Sequence, residues 1–231
     1  MVKKIDKRII GVSVKDDGKS TPDKPVEAED ESENVVQMHE KLERPESLIG
    51  ETYKIKTPQS EHALYVTIND IVLNPGTEHE LRRPFEIFIN SKNMDHFQWI
   101  VALTRIISAV FRKGGDVTFL VEELHSVFDP RGGYFKSGGR FVPSLVAEIG
   151  DVVEQHLISI GILQPAKLDA HQEAFVAAKR ADYVKSEGAD DAADGEAFPP
   201  TATLCNKCMT KAAIYLDGCL TCLNCGDSKC S

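Results

Sequence analysis

All six cysteines of this 231-residue chain fall in its last stretch: Cys205, Cys208, Cys219, Cys222, Cys225 and Cys230. They read Cys-x2-Cys-x10-Cys-x2-Cys-x2-Cys-x4-Cys. Two Cys-x2-Cys clamps supply the four thiolates of a tetrahedral zinc site. Two thiols are then left over, and a dithiol outside a closed metal site can carry out thiol–disulfide exchange. No cysteine precedes Cys205, so any sulfur chemistry is confined to this tail.

The remaining composition excludes several function classes. A formal charge of −9 argues against a nucleic-acid partner, which calls for a basic stripe. No apolar run approaches the roughly 20 residues of a membrane span. The opening MVKKIDKRII lacks the apolar core and cleavage site of a signal peptide. These features predict a cytoplasmic protein, where clustered cysteines serve as metal ligands or redox thiols.

Along the chain, residues 1–43 read as a solvated arm. Lys3, Lys4, Lys7 and Arg8 open it, and Glu27, Glu29, Asp30, Glu31 and Glu33 crowd its end with few large apolar residues. Residues 44–163 read as an α+β domain, a small antiparallel sheet packed with three helices. Its strands are expected over Glu51–Thr57, Ala63–Leu73 and Pro84–Asn90, where polar and apolar residues alternate or β-branched residues concentrate. Phe97, Ile100, Val101, Thr104, Ile107 and Phe111 recur at helical spacing, with Asn93 or Ser91 as the cap and Asp95 in the first turn. That helix is apolar almost all round, which predicts a place in the centre of the core. Asp116 is expected to cap a second helix with a stripe of Val117, Leu120, Val121, Leu124 and Phe128, ended by Pro130. A third begins near Pro143 and carries Leu145 to Ile160. The glycine-rich stretch Arg131–Arg140 between them reads as a surface connection rather than a phosphate cradle. Residues 164–204 combine a weak helix over Leu168–Val184 with the acidic linker SEGADDAADGEAFPP. As coil, about 40 residues would reach roughly 35 Å and tether the zinc-ribbon-like tail of residues 205–231.

Residues 44–157 resemble the C-terminal domain of adenosylcobalamin-dependent (class II) ribonucleotide reductases. The resemblance lies in RPESLIGETYKIKTPQSEHALYVTIND, RPFEIFINSKNMDHFQWIVALTRIISAVFRKGGD and FDPRGGYFKSGGRFVPSLVAEIGDVVEQH, and in the tail CNKC…GCLTCLNCGDSKC. Nothing in the chain corresponds to the large barrel of that family, which holds the substrate, the adenosylcobalamin and a radical-forming cysteine. The resemblance therefore implies the small half of a split ribonucleoside-diphosphate reductase. Its partners would be a barrel-bearing large subunit, where the adenosylcobalamin would sit, and a thioredoxin-like reductant. Its role would be to re-reduce the disulfide that each turnover leaves in the barrel.

Two groupings of the cysteines follow. Reductase tails of this family end in a Cys-x4-Cys pair, which Cys225 and Cys230 match, so the resemblance implies that these two exchange electrons. Cys205, Cys208, Cys219 and Cys222 then hold zinc. In the second grouping, Cys222-Leu-Asn-Cys225-Gly226 is itself a zinc knuckle, since glycine after the second cysteine permits the tight turn, and Cys219 and Cys230 are the exchanging pair. Cys230 exchanges in both, and Lys229 beside it favours its thiolate. The competing function is a zinc-ribbon adaptor without redox chemistry; the acidic balance and the sparse Lys207, Lys211 and Lys229 count against its binding nucleic acid.

Overall fold

The fold comes from a computed structural model that describes residues 35–58, 60–92, 97–165, 167–187 and 198–230. Three antiparallel strands, β1 (Ile49–Ile55), β2 (Leu64–Leu73) and β3 (Leu81–Ser91), form a sheet in chain order. Each overlaps its expected stretch, with ends displaced by at most three residues. Ile55, Leu64, Val66, Ile68, Ile87 and Ile89 point from one face into the main core. Three helices complete that core: α1 (Phe97–Lys113), α2 (Phe119–His125) and α3 (Leu145–Ser159).

α1 lies along β3, whose outer edge has no strand partner among the described residues. The buried Ser108 hydroxyl accepts the Ile87 N–H at 3.0 Å and donates to the Thr104 carbonyl at 2.7 Å. A backbone donor at the strand edge is thus satisfied by a helix side chain. The central position expected for α1 is corrected. Only Thr104, Ile107, Ser108 and Phe111 are buried, while Trp99 is 69% exposed and Ile106 62%. Of its expected first-turn residues, Asn93 and Asp95 lie outside the described residues, and Ser91 ends β3.

Asp116 does not cap α2 directly. Its carboxylate accepts the Thr118 N–H and hydroxyl, closing a turn just ahead of the helix. Val117, Leu120, Val121 and Leu124 are buried as expected, but the helix stops at His125 and Phe128 is exposed. α3 begins as a capped helix should, with the Ser144 hydroxyl accepting the Ala147 N–H at 3.0 Å. α2 crosses it closely at Gly150, where an added Cβ would sit 3.0 Å from Leu124 Cβ.

His156 on α3 is 1% exposed and both ring nitrogens are engaged. Nε2 meets Asp70 Oδ1 at 2.9 Å and Nδ1 meets the Tyr53 hydroxyl at 2.9 Å. Asp70 Oδ2 accepts from Arg82 at 2.8 Å. Tyr53 donates to Glu51, and burial together with that carboxylate raises the phenol above its usual range. The network ties α3 to all three strands. Asp70→Ala would leave buried His156 and half-buried Arg82 without their carboxylate. The expected cost is about 3–5 kcal/mol of stability, read from the urea midpoint; a loss below about 1 kcal/mol would show that the carboxylate is not needed.

The glycine-rich stretch is a hairpin of β4 (Tyr134–Phe135) and β5 (Phe141–Val142). Lys136 N–H donates to the Arg140 carbonyl at 2.8 Å, and Gly138 and Gly139 make the turn at positive φ. Tyr134 donates to buried Glu148 on α3, and Lys136 reaches Glu148 at 2.9 Å.

A fourth helix, α4 (Ala170–Glu187), follows where a weak one was expected. The 164–204 stretch is therefore not a free coil throughout. α4 packs on the cysteine-bearing module: Val176 is buried, Arg180 Nε donates to the Leu223 carbonyl at 2.8 Å and stacks on Phe198, and Lys179 pairs with Asp217 at 3.0 Å. The acidic segment 188–197 lies outside the described residues, as do residues 1–34 of the expected 1–43 arm; in the rest of that arm, Met38 and Leu42 pack against Ile71, Leu73 and Phe85.

Candidate metal and redox site

The tail forms an antiparallel sheet of β6 (Thr203–Leu204), β7 (Lys211–Leu216), β8 (Cys219–Cys222) and β9 (Ser228–Cys230), in that order. Asp217-Gly218 turns β7 into β8 with φ of 51° and 80°, the positive values that a two-residue hairpin demands. β8 therefore begins at Cys219 and ends at Cys222. Residues three apart in a strand point to opposite faces, so these two sulfurs cannot close on one ion.

That parity sets the grouping. Cys205, Cys208, Cys222 and Cys225 bring their sulfurs within 4.8 Å of one another. Cys205 and Cys225 sulfurs lie 3.8 Å apart, and those of Cys208 and Cys222 lie 3.7 Å apart. Four thiolates at the zinc–sulfur distance of about 2.3 Å, set tetrahedrally, stand about 3.8 Å from one another. The donor set and its spacing thus fit zinc. On the opposite face Cys219 and Cys230, cross-strand neighbours in β8 and β9, form a disulfide. The structure thus brings together the cysteines of the second grouping: Cys225, not Cys219, stands with Cys205, Cys208 and Cys222, and Cys230 is joined to Cys219, where the first grouping paired it with Cys225.

Both knuckles are tight turns. The Met209 N–H donates to the Cys205 carbonyl at 2.9 Å, and the Gly226 N–H to the Cys222 carbonyl at 3.0 Å. Met209 and Gly226 occupy matching left-handed positions, with φ of 53° and 72°. The Asn224 N–H points at the Cys222 sulfur at 3.4 Å, the contact expected where a backbone amide supports a metal-bound thiolate. Burial alone would raise the Cys208 thiol, but hydrogen bonds from the Asn224 side chain and from Thr210 bring it down to about 7. Burial pushes Cys222 up to about 11, against hydrogen bonds from the Cys225 and Asn224 amides, and raises Cys225 further. An ion among the sulfurs would favour four thiolates.

Burial separates the two sulfur sites as well. Cys205 and Cys222 are buried and Cys208 and Cys225 half-buried, whereas Cys230 is exposed on the outer strand of the sheet.

The first knuckle also meets the β4–β5 hairpin. Phe141 N–H donates to the Met209 carbonyl at 2.6 Å, and Lys211 N–H to the Gly139 carbonyl at 2.8 Å, around an Arg140–Thr210 bridge. A cavity of about 1340 Å³ opens beside this junction, walled by Cys208 and Cys225 on one side and by His125, Arg140, Phe141 and Asp151 on the other. His125, Asp151 and Glu154 place one donor atom each within 4.8 Å of one another. Asp151 there already accepts from Arg140 at 2.6 Å and Lys136 at 3.2 Å, and meets His125 at 2.9 Å. The group is an ion-paired clamp that fixes the hairpin to α3.

A comparison with protein-family models matches the TSCPD domain over residues 37–157, just over half of the chain. The chain belongs to the TSCPD-domain family. This is a domain found in adenosylcobalamin-dependent ribonucleotide reductases. No curated protein and no solved structure matches the chain. Among the described residues, no helix is long and apolar enough to cross a membrane.

Proposed function

We propose that the chain is the small subunit of a split class II ribonucleoside-diphosphate reductase and supplies its exchanging dithiol. Cys219 and Cys230 are that pair, and Cys205, Cys208, Cys222 and Cys225 hold a structural zinc. The carrying observation is the separation of the two sulfur sites: four sulfurs, two buried and two half-buried, gather in one cluster, and the other pair is joined and reaches the surface at Cys230.

Reduced, the pair would attack the disulfide left in the barrel subunit, through a mixed disulfide between the two chains. Two electrons and two protons pass to the barrel thiols, and Cys219–Cys230 is regenerated as the disulfide. A thioredoxin-like dithiol then reduces it by the same exchange. Cys230 is the attacking thiol because it is exposed and Lys229 stands next to it. Zinc would fix the two knuckles and so present the β8–β9 pair. Adenosylcobalamin would belong to the barrel subunit, and no residue of this chain is assigned to it.

The test is reconstitution. Added to its barrel subunit with nucleotide, adenosylcobalamin and thioredoxin, the chain should raise multiple-turnover deoxyribonucleotide formation at least about tenfold, since a bound dithiol acts at an effective concentration of the order of millimolar. Equal turnover by the barrel subunit alone would overturn the proposal.

A further inference from the structure

The Cys219–Cys230 disulfide crosses from β8 to β9 at the rim of the tail sheet, and that placement decides which sulfur can be attacked and from where. Thiol–disulfide exchange is an in-line displacement: the entering thiolate approaches along the S–S bond, from the side away from the sulfur that leaves. A thiolate aimed at the Cys219 sulfur would have to come over β7. Leu216 of β7 is the cross-strand neighbour of Cys219, so its side chain stands on the same face and in that approach. A thiolate aimed at the Cys230 sulfur comes from beyond β9. No strand follows β9 among the described residues, and Ser228, Lys229 and Cys230 are all exposed.

The backbone of that rim is laid out to receive a strand. The Cys222 N–H donates to the Asp227 carbonyl at 2.8 Å, which marks these two as a hydrogen-bonded pair. Pair types alternate along an antiparallel ladder. Leu220 and Lys229 are therefore the next hydrogen-bonded pair, while Thr221 with Ser228 and Cys219 with Cys230 are non-hydrogen-bonded pairs. In a non-hydrogen-bonded pair the N–H and C=O groups point away from the facing strand. Those of Ser228 and Cys230 thus point outward from the sheet, beside the one sulfur open to in-line attack. A free edge of this kind takes up extended chain through main-chain hydrogen bonds.

We infer that the outer edge of β9 is the docking site of the dithiol reductant, which lays an extended segment along Ser228–Cys230 and attacks the Cys230 sulfur. The identity of the reductant as a thioredoxin-like protein rests on the proposed function; the edge and the sulfur rest on β8 and β9 themselves. The joined pair is the state on which a reductant acts, and a second copy in that state brings only the same joined pair to the edge. In the first step the reductant's thiolate bonds to the Cys230 sulfur as the Cys219–Cys230 bond breaks, and Cys219 leaves as a thiolate and takes up a proton. The reductant's second thiol gives up its proton and displaces Cys230, which is protonated in turn. Two electrons have passed to the chain, and the reductant ends as a disulfide.

The experiment uses the full oxidised chain and a thioredoxin whose resolving cysteine is serine, which halts the reaction at the mixed disulfide. Peptide mapping should find that bond at Cys230 at least about tenfold more often than at Cys219. In the trapped complex, residue-resolved amide exchange should slow at least about tenfold at Ser228 and Cys230. It should change little at Lys229, whose backbone groups already face Leu220. Ser228→Pro removes an outward donor and no bond of the β8–β9 ladder. It should slow reduction by intact thioredoxin about three- to tenfold and leave the rate with dithiothreitol unchanged. Should the proline disturb the fold, seen as an altered dithiothreitol rate, amide exchange in the wild-type complex decides. A bond at Cys219 would overturn the choice of sulfur, and unslowed exchange at Ser228 and Cys230 would overturn the docking edge; both results leave the proposed function standing. A disulfide that thioredoxin reduces no faster than dithiothreitol does would overturn the inference and the proposed function together. Slowed exchange that follows the chain's own concentration, without reductant, would make a second copy the occupant and overturn the inference.

Discussion

Cys230→Ser should abolish thioredoxin-supported turnover of the reconstituted enzyme and leave turnover with a small dithiol near the wild-type rate. The two reductants differ in size, and that difference makes the test specific. A small dithiol can diffuse to a disulfide buried beneath the substrate site, whereas a folded thioredoxin depends on a carrier that can. With Cys230 gone, Cys219 has no partner, and the two-electron exchange cannot complete, since a lone thiol stops at the mixed disulfide. The thioredoxin-dependent rate should fall by at least about a hundredfold, the lower end of the advantage that linkage confers on a second binding event. Cys219→Ser should match it, because Cys219 faces Cys230 across β8 and β9. Rates are compared by product formation with each reductant at saturation. Normal thioredoxin-dependent turnover in Cys230→Ser would end the exchange role, and equal loss with both reductants would mean that the substitution damages the complex rather than the electron path.

The sheet and its helices were legible because their patterns are local. In β3 Phe85, Ile87 and Ile89 are buried and Phe88 is exposed as the pattern asks, although Glu86 is buried too, held by Arg44 and Asn69, and α3 starts at Ser144 with its hydroxyl accepting the Ala147 N–H. α1 was misplaced for a reason internal to its sequence. Its apolar content suits two buried faces, and the described fold supplies one. The order of the cysteines was visible, but their grouping was not, because the spacing Cys-x2-Cys does not say whether the two residues sit in a turn or a strand. Cys222 and Cys225 flank a turn, ended by Gly226 at positive φ; Cys219 and Cys222 lie in β8. The deciding signal was present in Asp217-Gly218, a hairpin dipeptide that starts a strand at Cys219 and so throws Cys219 and Cys222 to opposite faces. The hairpin at Gly138-Gly139, read as a plain connection, meets the first knuckle through backbone groups, and backbone pairing between segments some seventy residues apart leaves no mark on composition.

The same parity yields the second large effect. Zinc content should be about one per chain in wild type and in Cys219→Ser, and should be lost in Cys225→Ser. The reverse result, loss in Cys219→Ser with retention in Cys225→Ser, would restore the grouping that joins Cys219 to Cys205, Cys208 and Cys222. The consequence for the fold should be severe, because the module has little else to hold it. The cluster around the tetrad consists of Ala212, Ala213, Cys205 and Cys222, with partial cover from Phe198 and Leu220, and a second small cluster joins Ala202, Ile214 and Leu223. Cores this small rarely sustain a fold without a metal or disulfides. Structural zinc contributes roughly 10–16 kcal/mol of apparent binding free energy at neutral pH, and most of that is lost when one of four thiolates is removed. Cys225→Ser should therefore unfold β6 to β9 and expose the buried flank of α4 at Val176, while the sheet β1 to β3 with α1 to α3 keeps its own core. Amide exchange would show the pattern directly: protection lost across the tail strands and α4, and retained in β2, β3 and α3. Protons compete with zinc for the same thiolates, so acid should release the ion from wild type and produce the same exchange pattern. A tail that stays protected after acid or chelation has stripped its metal would mean that the disulfide and the small apolar clusters suffice, and zinc would then lose its structural role.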